Sequence, residues 1–266
     1  MNRRQFLTTT AAAIAVEARA AARPTFVAGI VPAGRARAAG TAAPPSDAAG
    51  TFWSNCDEVS GLGFHTIEIN NTRPRIADLY SDRVAEFKQE MAARHLTMAG
   101  LALFSHMAES TERRDLIVQH MLIGRFLAAV GGKYITHMLA PGTVLNEPTD
   151  DAAYNNVDLK EWAGNACEIG KRLLNEFGIA LAYHPEQGEV RTGLYERILA
   201  AADERYFRFL ADTGHIASGG TDAAAVCRKY RSRLECVHLK DFSPKGGQSV
   251  KAGNATLGEG IGISQP

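Results

Sequence analysis

Cysteine is scarce in this 266-residue chain: Cys56, Cys167, Cys227 and Cys236 stand far apart and form no CxxC pair. That spacing excludes a zinc knuckle and a disulfide-framed mini-protein. An excess of one charge is also lacking. The 29 Lys and Arg balance 29 Asp and Glu, for a formal net charge of +0. A protein held on nucleic acid by phosphate contacts needs a basic excess, so no nucleic-acid partner is expected. No apolar run reaches about 18 residues, so no segment reads as a membrane span. What is present is a globular composition, 45% hydrophobic and 22% charged, which excludes wholesale disorder. The length suits one large domain or two small ones, since α/β barrels reach about 250 residues as one domain.

Residues 1–20 read as an export signal. Asn2-Arg3-Arg4-Gln5-Phe6-Leu7 resembles a twin-arginine motif, a modestly apolar stretch runs from Thr8 to Val16, and Ala18-Arg19-Ala20 is a small-x-small cleavage candidate. The expected location is the periplasm, reached after folding and metal loading. Residues 21–50 read as a linker or irregular segment, Ala-, Gly-, Pro- and Arg-rich from Pro32 to Gly50. Such a composition buries too little apolar surface to order itself. Only Phe26–Val31 there reads as a possible first strand.

From residue 51 to 266 strands and helices alternate. His65–Ile69, Thr97–Phe104, Tyr134–Leu139, Ile179–Tyr183, Phe207–Ala211 and Leu234–Leu239 are short, apolar and bounded by turn residues. Helices are expected between them. Ser81 caps one carrying Val84, Phe87 and Met91; Thr111 opens one carrying Leu116, His120, Ile123, Leu127 and Val130. Asp158 opens the clearest, with Trp162, Ala166, Ile169 and Leu173 on one stripe. Shorter ones cover Leu194–Ala201 and Thr221–Tyr230. Strand–helix alternation with apolar strands implies a parallel sheet covered by helices. Counting Phe26–Val31 gives seven strands against the eight of a closed barrel. The expected fold is therefore a (β/α)8-type TIM barrel lacking its last βα unit.

The polar residues at the late strand ends are not what a sheet needs. Tyr183-His184-Pro185-Glu186-Gln187-Gly188, Asp212-Thr213-Gly214-His215 and His238-Leu239-Lys240-Asp241 leave three successive strands, with His184, Asp212 and His238 set 28 and 26 residues apart. In a parallel barrel such ends face one cavity. Two imidazoles and a carboxylate there form a mixed nitrogen and oxygen donor set, which suits a divalent metal (Mn, Co, Zn or Mg). Singly each has a plainer reading: His184 as a loop histidine, Asp212 as a turn cap, His238 as a core histidine. Glu68 and His137 also stand near strand ends, as structural residues or as pocket lining for substrate.

These segments, with Gly63–Ile69, Gly131–Ile135 and Leu257-Gly258-Glu259-Gly260, resemble the sugar phosphate isomerase/epimerase superfamily, with its xylose-isomerase-like TIM barrel. The family includes inosose dehydratases, tagatose epimerases and the endonuclease IV branch. The resemblance implies a divalent metal on His184, Asp212 and His238. The family's eighth-strand Glu has no counterpart; Glu259 lies in the motif before it. Where the family often has His-x-His, this chain has His184-Pro185-Glu186, so Glu186 is a ligand or the catalytic base. His215 matches a substrate-binding position and Lys240 a polar position near substrate, able to offset developing charge.

The implied partner is a small-molecule sugar or cyclitol. No GxxxxGK loop offers a phosphate site, so a free sugar is preferred over a sugar phosphate. The expected activity is isomerisation or epimerisation by proton abstraction next to a carbonyl. Dehydration of an inosose type, or metal or sugar binding without turnover, are the alternatives. A barrel one strand short leaves two sheet edges, which a homo-oligomer would cover.

Overall fold

The computed structural model describes residues 29–30, 48–70, 76–104, 113–138, 154, 157–243 and 253–255. The segment read as an export signal, residues 21–28 and 31–47 of the expected linker (with Phe26 to Ala28 and Val31 of the possible first strand), Thr111, Leu139 and the Leu257–Gly260 motif with Glu259 lie outside them. Seven parallel strands pair in chain order: β1 (Gly29–Ile30), β2 (Thr66–Asn70), β3 (Thr97–Phe104), β4 (Tyr134–Met138), β5 (Ala180–His184), β6 (Arg208–Asp212) and β7 (Leu234–His238). The crossovers carry α1 (Ala48–Gly61), α2 (Ile76–Leu79), α3 (Val84–Ala93), α4 (Arg113–Ala129), α5 (Leu159–Phe177), α6 (Gln187–Arg191), α7 (Leu194–Ala201), α8 (Thr213–Ser218) and α9 (Ala223–Lys229). Beyond β7, β8 (Asp241–Ser243) and β9 (Gly253–Ala255) form an antiparallel pair. No helix among the described residues is long and apolar enough to cross a membrane.

The sheet is curled. Five strand spacings separate β2 from β7, about 24 Å in a flat sheet. Yet Glu68 Oε2 of β2 lies 3.0 Å from His238 Nε2 of β7. The architecture is that of a (β/α)8-type barrel, open in backbone pairing between β7 and β1 among the described residues.

Strand register assigns the two faces. Gly100 pairs with Glu68 and Tyr134, and Met138 with His184. Strand side chains alternate between faces. Glu68, Gly100, Tyr134, Thr136, Ala182, His184, Asp212 and His238 therefore share the inner face. Gly100 is required there, because a Cβ would run into the Tyr134 ring. The outer face carries Ile67, Ile69, Leu101, Ile135, Leu181, Tyr183 and Phe209, all buried. Against it the α5 stripe packs Trp162 edge-on to Tyr183 and Phe207, with ring centroids 5.5 and 5.2 Å away.

Asp158 caps α5 as its sequence predicts, accepting the N–H groups of Lys160 and Glu161 at 3.0 Å each. Gly178 ends the helix in the left-handed region at φ 68°. Four details differ from expectation. Helix α1 begins inside the expected linker, because Phe52, Cys56 and Val59 recur at helical spacing and are buried. Ser81 donates to the Asp78 carbonyl at 3.0 Å, closing the preceding turn, and α3 starts only at Val84. The helix expected from Thr221 starts only at Ala223, capped by Asp222. Finally, α6 and α8 were not expected.

Candidate metal and active site

Asp212 does two jobs, one on each oxygen. It ends β6 and caps α8, where its Oδ1 accepts the backbone N–H groups of Gly214 and His215 at 3.1 Å each. Its plain reading as a turn cap is thus true of Oδ1. Oδ2 faces four nitrogens instead: Lys240 Nζ at 2.7 Å, His184 Nε2 at 3.2 Å, His238 Nδ1 at 3.7 Å and His215 Nε2 at 3.8 Å. The ends of β5, β6 and β7 place these groups, and the register pair Asp212–His238 sets two of them side by side.

Glu186 follows β5 and lies across the imidazoles, with Oε1 3.5 Å from His184 Nδ1 and Oε2 3.3 Å from His215 Nε2. The Glu68 carboxylate takes His238 Nε2 at 3.0 Å and the Tyr134 hydroxyl at 2.8 Å. A depth gradient results. Asp212 and His184 have side chains 0% and 3% exposed, whereas His215 and Lys240 reach 26% and 42%. A substrate would therefore meet His215 and Lys240 first. The structure brings together seven of the sequence-derived residues: Glu68, His184, Glu186, Asp212, His215, His238 and Lys240.

His137 is not among them. It stands on the outer face of β4, wholly buried, with its ring 5.8 Å from His120 and 6.0 Å from Trp162. Its neighbour Met138 is the residue in register with His184. A one-residue step in a strand changes the face. Tyr134, which steadies Glu68, was not singled out in the sequence; the signal was a large ring registered opposite Gly100.

Burial by itself would raise the Asp212 carboxyl, but the His184 and His238 imidazoles beside it hold it far below the usual carboxylate range. Glu68 is likewise pushed up by burial and brought below its ordinary value by the hydrogen bond to His238. Burial lowers His238, yet Asp212 and Glu68 outweigh it and lift the imidazole to about 9. His215 falls below its ordinary value because burial disfavours the imidazolium. Two carboxylates thus favour a proton on His238, which a cation taking Nδ1 would displace, while His215 keeps a lone pair.

The residues present fit a divalent cation. His184, Asp212 and His215 offer donor atoms within 4.8 Å of one another. His184 Nδ1 is buried without a hydrogen bond, although such groups are nearly always satisfied. His238 offers Nδ1 towards Asp212 while a carboxylate holds its other ring nitrogen. Metal-ligating histidines are commonly oriented in that way.

A curled parallel α/β barrel with a His/Asp/Glu cluster at the carboxyl ends of its strands defines the class of protein. Residues 56–265 match the xylose isomerase-like TIM barrel family, and the chain belongs to it. It is 27% identical over 218 residues to the inosose dehydratase of Clostridium perfringens (strain 13 / Type A), covering 79% of this chain and 70% of that protein. Among solved structures, the "probable 3-DHS dehydratase AsbF" of Bacillus anthracis superposes with a TM-score of 0.61 at 16% identity, over 80% of each chain. The IOLI protein with a binding zinc atom superposes with a TM-score of 0.56 at 12% identity, over 79% of this chain and 74% of that one. These two share the fold.

Proposed function

We propose that this chain is a divalent-metal-dependent enzyme acting on a keto-cyclitol or keto-sugar. It removes the proton next to the carbonyl and then expels the β-hydroxyl as water. The observation that carries this reading is the Glu186 carboxylate lying across His184 and His215, at the mouth of a cluster suited to a cation. Similarity to inosose dehydratases supports dehydration over the isomerisation expected from sequence. His184, Asp212 and His238 would hold the ion, with Glu68 and Tyr134 fixing the His238 ring. A bound ion supplies Lewis-acid polarisation of the substrate carbonyl.

The chain's own groups do the rest. Glu186 takes the proton. Lys240, at the mouth, offsets negative charge building on the substrate oxygen. The proton passes from Glu186 to His215, 3.3 Å away, and from His215 to the departing hydroxyl. Water leaves and Glu186 is again a carboxylate.

The test is an inosose incubated in D2O with metal-loaded protein and followed by NMR. Loss of water from substrate, stopped by Glu186→Gln, is expected. Deuterium uptake without loss of water would move the assignment to isomerisation or epimerisation. Bound metal with neither would leave a binding protein. The roles of the two outer histidines separate in the same experiment. His238→Ala removes a ligand and lowers the bound metal by elemental analysis, whereas His215→Ala keeps the metal and loses turnover. A metal-free His215→Ala protein would instead make His215 a ligand.

A further inference from the structure

Glu186 stands at the N-cap of α6. A polar side chain there ordinarily turns back onto the exposed N–H groups of its own helix. The Glu186 carboxylate does so too, accepting the Glu189 backbone N–H in a reciprocal capping box, and it also lies near His184 and His215. Glu189 completes the box from the other side. Glu189 Oε2 accepts the Glu186 backbone N–H at 2.7 Å, and its Oε1 accepts the Tyr183 hydroxyl at 2.7 Å. Glu189 is fully buried. Burial first, and then Glu189, push the Tyr183 phenol well above its ordinary value, so it remains a donor.

One side chain is therefore tied to the residue just before His184 and to the backbone of the residue two beyond it. Burying a carboxylate is costly unless its oxygens are well bonded, and hydrogen bonds to a charged acceptor are about twice as strong as neutral ones. We infer that Glu189 is the positioning residue of this site: by holding the Glu186 backbone and the Tyr183 hydroxyl it fixes the capping box and aims the Glu186 carboxylate at His184 and His215. This inference rests on Glu186 acting as the base under the proposed function.

Two measurements on the full-length, metal-loaded protein test it. The first is amide hydrogen exchange of the 184–188 segment, which needs no substrate. Glu189→Ala should raise exchange there and leave β6 unchanged, and Glu189→Gln, which keeps an acceptor oxygen, should restore protection. The second is a double-mutant cycle on inosose turnover. Glu189→Ala should lower kcat about tenfold with KM within about twofold, the mark of a lost transition-state alignment. In a Glu186→Ala background it should have no further effect, because residues acting as a unit are not additive. Additive losses, or unchanged exchange in Glu189→Ala, would overturn the inference. If the wild type shows no turnover the proposed function fails, and the exchange result alone then decides whether Glu189 anchors the segment.

Discussion

A histidine buried without a charge partner has a different pH signature from one in a site, and this chain has both kinds. His120 of α4 is wholly enclosed. Burial drives its pKa down to about 4, opposed only by the Leu116 carbonyl that its Nδ1 meets at 2.7 Å. Above pH 6.5 the ring is neutral folded and unfolded, and its ionisation contributes nothing. Between pH 6.5 and about 4 the unfolded chain takes a proton that the folded chain refuses, so stability falls as the pH falls. The full loss is about 3 kcal/mol at 1.36 kcal/mol per unit. Urea unfolding at pH 7.5 and 4.5 should show that much extra acid sensitivity in the wild type over His120→Leu; equal slopes would refute the assignment. Much of the candidate site was readable at this scale. His184, Asp212 and His238 recur at βα-unit spacing and end on one face, as their positions imply. His137 shares their strand-end position but not their parity, and parity is fixed only by register with the neighbouring strand. Glu189 is the N3 member of a capping box whose N-cap is Glu186 rather than Ser or Thr, so the usual pattern did not single it out.

At the scale of the element, α5 shows why equal residues have unequal effects. Gly164 and Gly170 lie on the same helix. A Cβ at Gly164 meets nothing within 4 Å, whereas one at Gly170 runs into the backbone carbonyl of Tyr206. Glycine in a helix interior is about 1 kcal/mol worse than alanine. Gly164→Ala should therefore stabilise the protein by up to about that amount. Gly170→Ala should destabilise it by about 1–3 kcal/mol, since backbone must move to admit the methyl group. Midpoints of urea unfolding check both signs, and stabilisation by Gly170→Ala would contradict the packing described. The elements most legible in sequence were those, like α5, whose cap, stripe and stop agree. Those missed were short or masked by composition. Helix α1 begins in an alanine- and glycine-rich stretch, and α8 is too short for periodicity to emerge. Asp212 also reads equally well as strand end, turn cap and ligand.

For the whole molecule, the curl of the sheet is held at the carboxyl end by side chains rather than by backbone pairing. β7 pairs only with β6 among the described residues, yet Glu68 of β2 grips His238 of β7. His184, Asp212 and His238 come from β5, β6 and β7, so an ion on them would tie three strands and, through Glu68, a fourth. The Lys240 Nζ contact at 2.7 Å from Asp212 Oδ2 ties β6 only to the segment after β7. Metal should therefore act on stability as well as on chemistry. A ligand bound only by the folded state adds about 2.7 kcal/mol at a hundred times its Kd. For a chain of this size that is a rise in Tm on the order of 5–10 °C. Calorimetry with Mn, Co or Zn should show the rise and its reversal by EDTA. Asp212→Asn should abolish it, and Glu186→Gln, which leaves the ligands in place, should retain it. A Tm indifferent to metal and chelator would mean that the cluster holds no ion; a rise surviving in Asp212→Asn would place the ion elsewhere.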